Sequence, residues 1–296
     1  MTDPLQVFVP FWGEPELLYV TVESVKAQTD DAWTLTVVDD CYPDASVAEH
    51  FAAETDPRIT YLRNERNLGN TENYRRCQAM ASAELMMFLG CDDLMHPSFV
   101  ETVRAAAAAH PDVAVVQVGV EVVDGEGRPV LPLGDKVKRA LMPRGEGRVE
   151  LAGEDLAVSL LRGNWLYWPS LVFRSQAVRR FEFRDGLPII QDLALMIDMA
   201  AAGEKLLVDP TTAFSYRRHT GSASSTSLLH GRRLADERRY YDSAAEQMRR
   251  LGWNRAARAA RWRWTSRLHA VSLVPAAVQD RSLPALRSLG RHLLSR

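Results

Sequence analysis

Leu85-Met86-Met87-Phe88-Leu89-Gly90-Cys91-Asp92-Asp93 is an apolar run that ends in two adjacent carboxylates, and Pro97 follows shortly after. A buried strand that carries acids to its C-terminal tip lets an open α/β sheet offer oxygen ligands to a hard divalent cation, beside the strand tips where ligands bind. The same letters also suit a turn or a helix cap, so the flanking segments decide between the readings. Upstream, residues 6–9 read as a strand, the loop Pro10-Phe11-Trp12-Gly13-Glu14 follows, and Pro15 is placed to open a helix in which Leu18, Val22 and Val25 recur at helical spacing. Residues 34–38 form a second strand ending at Asp39-Asp40, residues 47–55 a helix and 59–62 a third strand. The polar loop Asn64-Glu65-Arg66-Asn67-Leu68-Gly69-Asn70 leads into a helix to about Ser82, ahead of the 84–89 strand and an alanine-rich helix over 97–109.

This alternation predicts an α/β fold with a mostly parallel central sheet and helices on both faces. Downstream, 113–123 reads as a longer strand, and 129–149, with its prolines, glycines and basic residues, as a mobile loop. Helices are expected over 156–161 and 190–201, with strands over 171–174, 205–208 and 214–219. Beyond Gly231 two or three helices are expected, broken near Gly252 and Pro275. The domain division is therefore 1–229 for the sheet domain and 230–296 for a helical extension.

Composition narrows the function classes. Of 296 residues, 46% are hydrophobic and 25% charged, as in a soluble globular protein. The start lacks the basic-then-apolar pattern of a secretory signal, and no run approaches the roughly 20 residues needed to span a bilayer. Cys41, Cys77 and Cys91 are scattered and odd in number, which predicts a reducing, cytoplasmic setting without a disulfide framework. No Cys/His cluster has zinc spacing. Neither a G-x-G-x-x-G after the first strand nor a G-x-x-x-x-G-K-[ST] is present, which argues against a dinucleotide fold and a P-loop. Residues 230–296 hold 15 Arg, no Lys and five acids, a net +10, against −12 for residues 1–229. An acidic body with a basic tail implies an electrostatic partner for the tail.

The motifs fall in one order: Val9-Pro10 with Glu14; Val38-Asp39-Asp40; Asn64, Asn67-Leu68-Gly69, Asn73 and Arg75; Gly90-Cys91-Asp92-Asp93; Gln191-Asp192; and Tyr216-Arg217-Arg218-His219. Over roughly Leu5 to Ser225 this series resembles the family 2 nucleotide-sugar glycosyltransferases of the GT-A fold. The resemblance implies that Asp39 contacts the nucleotide base and ribose, with Pro10 and Glu14 along the nucleoside. It implies that Asn67, Gly69, Asn73 and Arg75 flank the base and diphosphate, Arg75 offering forked hydrogen bonds to phosphate, with Asp93 among the donor-binding residues. Asp92 matches the metal-binding acid of the Asp-x-Asp motif, and His219 a further metal ligand in some members, so Mn²⁺ or Mg²⁺ is the implied cofactor. The chain departs from the pattern where Gly90 replaces the first acid of that motif. Asp192 matches the general base of inverting members, where Gln191 replaces a frequent glutamate. Trp165, Tyr167 and Trp168 form an aromatic cluster suited to an acceptor wall or to core packing.

The expected activity is metal-dependent, inverting transfer of a sugar from a nucleoside diphosphate sugar to a hydroxyl acceptor, with no nucleic-acid partner. The alternatives are a nucleotidyltransferase, which would need a Gly-rich cationic loop after the first strand, and a non-catalytic nucleotide- or carbohydrate-binding relative. Arg249, Arg250, Arg255, Arg258, Arg261, Arg263 and Arg267 lie among Trp253, Trp262, Trp264 and Leu268. That pattern suits peripheral contact at the inner face of a membrane, or packing onto the catalytic domain.

Overall fold

The computed structural model describes residues 3–187, 189–218, 232–279 and 283–294. Its first half runs β1 (Leu5–Phe11), α1 (Pro15–Lys26), β2 (Trp33–Asp39), α2 (Ser46–Ala52), β3 (Ile59–Arg63), α3 (Asn70–Met80), β4 (Leu85–Phe88), β5 (Leu94–Met95), α4 (Phe99–Ala109) and β6 (Val115–Val123). There follow α5 (Leu133–Leu141), β7 (Val149–Leu151), α6 (Gly153–Arg162), β8 (Leu171–Arg174), α7 (Ser175–Val178), α8 (Gln191–Ala201) and β9 (Leu206–Arg217). The tail contributes α9 (Arg232–Arg250), α10 (Asn254–Trp262), α11 (Trp264–Gln279) and α12 (Leu283–Leu294).

Among the described residues the strands form one sheet in the order β3-β2-β1-β4-β8-β6-β9-β5, with β7 paired to β9. The β1–β2, β2–β3, β1–β4 and β6–β9 pairs are parallel, and β5, β7 and β8 run against them. Side chains alternate across the sheet as strand geometry demands. Val7, Val9, Leu35, Val37, Leu85 and Met87 enter one core with Leu18, Val22, Phe99 and Val103 of α1 and α4. Phe8, Val38, Met86 and Phe88 enter the other, with α6, α8 and the tail helices. The unbroken apolar run in β4 is thus a strand buried on both faces.

Three expectations are corrected. The 129–149 segment is not an irregular loop throughout: it holds α5, pinned where buried Asp135 accepts hydrogen bonds from the Tyr167 hydroxyl and from Arg218. The strands expected over 205–208 and 214–219 are one bent strand, β9. The tail breaks at Gly252 and at Arg263, whose left-handed φ of 45° ends α10, whereas Pro275 lies inside α11. Pro275 is exposed there, as is Val271 one turn earlier, so the carbonyl that loses its partner can be hydrated.

Candidate active site

The parallel registers place Phe11, Asp39 and Arg63 side by side at the tips of β1, β2 and β3, with the β4 tip next to them. Asp39 is fully buried. One of its oxygens accepts from the Tyr42 N–H at 2.7 Å, and the other from the Tyr61 hydroxyl, with Arg63 4.0 Å away. Burial and this carboxylate push the Tyr61 pKa up, so Tyr61 stays a donor. Trp12, half exposed beyond β1, sets its ring edge-on to Tyr42 with centroids 5.4 Å apart. Pro10 is partly buried between fully buried Val9 and Phe11, and Glu14 is exposed before the Pro15 that starts α1. The tip of β2 therefore carries a buried acid, with the edge-on Trp12–Tyr42 pair beside it.

Asp40, which the motif reading assigned no role, organises the next loop. It accepts from Asn64 Nδ2 at 2.7 Å, from the Leu68 N–H at 2.8 Å and from the Gly69 N–H at 2.8 Å. Gly69 sits at φ 84°, a conformation glycine adopts freely, and immediately precedes α3. Asn67 is exposed on this loop. Asn73 is buried: it donates to the Val38 carbonyl at 2.9 Å and accepts from Asn64, so it clamps the loop to β2. Arg75 is tied to Glu72, to the Phe183 carbonyl and to Asp185. The structure thus gives Asn73 and Arg75 work within the protein.

At the β4 tip, Asp92 is partly exposed and Asp93 is buried. Asp93 Oδ1 accepts from the Arg217 N–H at 2.8 Å, and the Arg217 guanidinium donates to the Asp92 carbonyl, which fastens the end of β9 to the acids. Burial and the neighbouring Asp92 hold the Asp93 pKa well above the usual carboxylate range. Its Oδ2 makes no hydrogen bond to the protein. A side chain at Gly90 would place Cβ 2.4 Å from that oxygen. Asp93 therefore occupies the space that the first acid of an Asp-x-Asp motif would need. The donors are carboxylate oxygens, one of them buried and unpartnered, and this fits a hard cation. Among the described residues no three His, Cys, Asp or Glu side chains converge on one metal position; His219 lies outside the described residues.

Asp192 opens α8. Its Oδ2 accepts from Asn164 Nδ2 at 2.9 Å and its Oδ1 from the Leu193 N–H, while burial raises its pKa. Gln191 accepts from the Thr71 hydroxyl at 2.8 Å, which docks the start of α8 onto the start of α3. Lys138, on α5, lies over the Tyr167 ring at 4.4 Å and donates to the Leu166 carbonyl. Burial, reinforced by Arg218, lowers its pKa to about 8. Lys138 feels the charges of Asp192 and Asp135, and Tyr216 those of Asp92, Asp93 and Arg218, so these groups share one electrostatic neighbourhood. Lys138 and Asn164 carry no short-motif signal, and Arg218 stands in the motif series without an assigned role; only the folded chain gathers them. Trp165 is corrected to a core residue: it is fully buried and donates to Ser159 at 3.0 Å. Trp168 stacks on Phe88 with centroids 5.6 Å apart and meets Tyr74, Phe173 and Phe183. Its packing face is accounted for, and it is only partly buried.

Residues 6–152 match the model of glycosyl transferase family 2. The putative colanic acid biosynthesis glycosyl transferase WcaA of Escherichia coli (strain K12) is 27% identical over 95 residues, 32% of this chain and 34% of WcaA. The chain spans 13% of the length of another curated relative. The S. aureus TarS 1–349 structure in complex with UDP-GlcNAc superposes with a TM-score of 0.69 at 15% identity, covering 98% of this chain and 81% of that one. The mannosyltransferase PcManGT from Pyrobaculum calidifontis, in complex with GDP-Man and Mn²⁺, gives 0.62 at 16% identity, covering 98% and 79%. These likenesses establish the fold as GT-A, with C-terminal helices added. The stretch 6–152, which carries Asp39 at the tip of β2 and Asp92 in the turn after β4, is a glycosyl transferase family 2 region of the chain.

Proposed function

We propose that the protein transfers a sugar from a nucleoside diphosphate sugar to a hydroxyl acceptor, with inversion at the anomeric carbon. The observation that supports this reading is that three acids of different character lie toward the C-terminal ends of the parallel strands: buried Asp39 at the β2 tip, partly exposed Asp92 after β4, and desolvated Asp192 at the start of α8, which Gln191 docks onto the start of α3. Trp12 and Tyr42 would flank the base, and Asp39 would accept from the base or ribose. The Asn67–Gly69 loop, held by Asp40, would lie along the diphosphate. Asp192 would take the acceptor proton as the hydroxyl attacks, held in orientation by Asn164. Asp92, with Asp93 and His219, would hold Mn²⁺ or Mg²⁺, which when bound supplies Lewis-acid stabilisation of charge on the diphosphate. Trp168 remains a proposed acceptor contact. The division into a catalytic unit, 1–229, and a helical extension, 230–296, belongs to the same reading. So does a cytoplasmic setting, with peripheral contact at the inner face of a membrane.

A thermal-shift series with nucleoside diphosphates and nucleotide sugars, with and without Mn²⁺, tests the reading. A donor at 100 times its dissociation constant adds about 2.7 kcal/mol of stability, and that donor should release nucleoside diphosphate on incubation. Failure of every nucleotide sugar to shift the melting transition defeats the proposal. Two substitutions then separate the roles of the strand-tip acids. Asp39→Asn should weaken donor binding with and without Mn²⁺. Asp92→Ala should remove only the Mn²⁺-dependent increment in nucleoside diphosphate affinity, read by calorimetry. An unchanged increment in Asp92→Ala refutes the metal assignment.

A further inference from the structure

The tail divides into an inward and an outward half. Tyr240, Tyr241, Ala244, Met248, Ala256 and Ala260 are buried in the core shared with α6 and α8. Arg255 pairs with Glu154 and Asp155 of α6, and Arg263 is buried 3.7 Å from Asp242. The arginines and aromatics of this half serve packing.

Helix α11 differs, because it is apolar on two opposite faces. Ala270, Leu273 and Val274 pack with Leu234 and Leu289. On the other side Trp264, Leu268, Val271, Pro275 and Val278 recur at i, i+4, i+7, i+11 and i+14, a single stripe, and all five are exposed. Trp264 is 57% exposed, and Trp262, 50% exposed, stacks on it with centroids 5.4 Å apart and planes 10° from parallel. Beside the stack opens a pocket of about 790 Å³ lined by Arg249, Arg261, Arg267, Trp262, Ala245 and Asp242. Three guanidiniums meet the Asp242 carboxylate there, and Glu246 pairs with Arg249 at 2.6 Å, which leaves the wall net positive.

A contiguous apolar stripe on a helix, rimmed by charge, marks an interaction surface. Its charge selects the partner. A second copy of this chain would set one +10 tail against another. A nucleic acid would meet a row of aliphatic side chains that offer its phosphates no donors. An anionic bilayer satisfies both features: guanidinium forks match lipid phosphate, and indole rings settle at headgroup level. Among the described residues no helix is long and apolar enough to cross a membrane, so the stripe would lie along the interface. We propose that the α10–α11 surface docks on an anionic phospholipid bilayer, with Trp262, Trp264 and the α11 stripe in the interface and Arg249 and Arg261 on lipid phosphate. This surface rests on and deepens the membrane contact proposed above, and it shares no residue with those assigned to sugar transfer.

Flotation of the full chain with vesicles of phosphatidylglycerol and phosphatidylcholine, against phosphatidylcholine alone, tests it. Binding should require the anionic lipid and fall as salt rises. Arg249→Gln with Arg261→Gln should lower the partition coefficient roughly thirtyfold, from the usual value of a basic residue at such a surface. Trp262→Ser with Trp264→Ser should abolish binding while the circular dichroism melt is unchanged, since both rings are half exposed. Absence of binding at low salt overturns the proposal, as does equal binding to both vesicle types. A dimer in light scattering that the tryptophan variant abolishes, without vesicle binding, assigns the stripe to a second copy instead.

Discussion

Asp192→Asn is expected to lower turnover by about 10²–10⁴-fold while leaving nucleoside diphosphate affinity near that of the unaltered protein. The amide keeps the size of the side chain, and its single oxygen can still accept the Leu193 N–H that starts α8, while its NH₂ takes the place of the oxygen that accepts from Asn164. What is lost is basicity. Burial has already raised the Asp192 pKa, which makes its anion a stronger base than an exposed aspartate. The sign of the pH dependence follows. The anion is the active form, so turnover in the unaltered protein should fall as pH drops through a value above the ordinary aspartate range, and that limb should vanish in the variant. Full turnover in Asp192→Asn, or a product with retained anomeric configuration, assigns the base elsewhere.

Ending the chain at residue 230 is expected to abolish cooperative folding of what remains. Removal of α9 and α10 would strip Tyr240, Tyr241, Met248 and the small alanines from the core that holds Leu156, Leu160, Leu193 and Ile197. Each large side chain left facing water forfeits about 1.5–3 kcal/mol, and whole domains are stable by only about 5–15 kcal/mol. The shortened chain should be insoluble, or soluble with strong dye binding and no melting transition. A sharp melt and intact nucleotide binding in the shortened chain would show that residues 3–218 stand alone.

The βα alternation was legible because β1, β2 and β4 are apolar runs closed by turn residues, and the ends of β1 through β4 fall within two residues of the expected ones. β5 and β7, two and three residues long, carry no periodicity and exist only because β9 offers them an edge. α5 was hidden by Pro129, Pro132 and Gly134, which read as breakers. Among site residues, Asp39 and Asp92 were visible as strand tips. The burial of Asn73 and Trp165 was not, because an amide or an indole has the same letter whether it faces a ligand or the core. Asp40 was passed over for a related reason: its three hydrogen bonds reach residues 24 to 29 positions away.

The contact between Asp93 and Gly90 constrains the order in which substitutions can accumulate. Gly90→Asp alone would restore an Asp-x-Asp motif on paper, yet its Cβ would meet Asp93 Oδ2 at 2.4 Å. Loss of Asp93 alone would free the room but take away the acceptor that anchors the Arg217 N–H. Each single step carries a penalty that the double replacement could lift, so the two positions are epistatic. The present Gly-x-Asp-Asp tip and a two-acid tip are separate solutions, and a one-residue path between them crosses a less stable chain whichever change comes first.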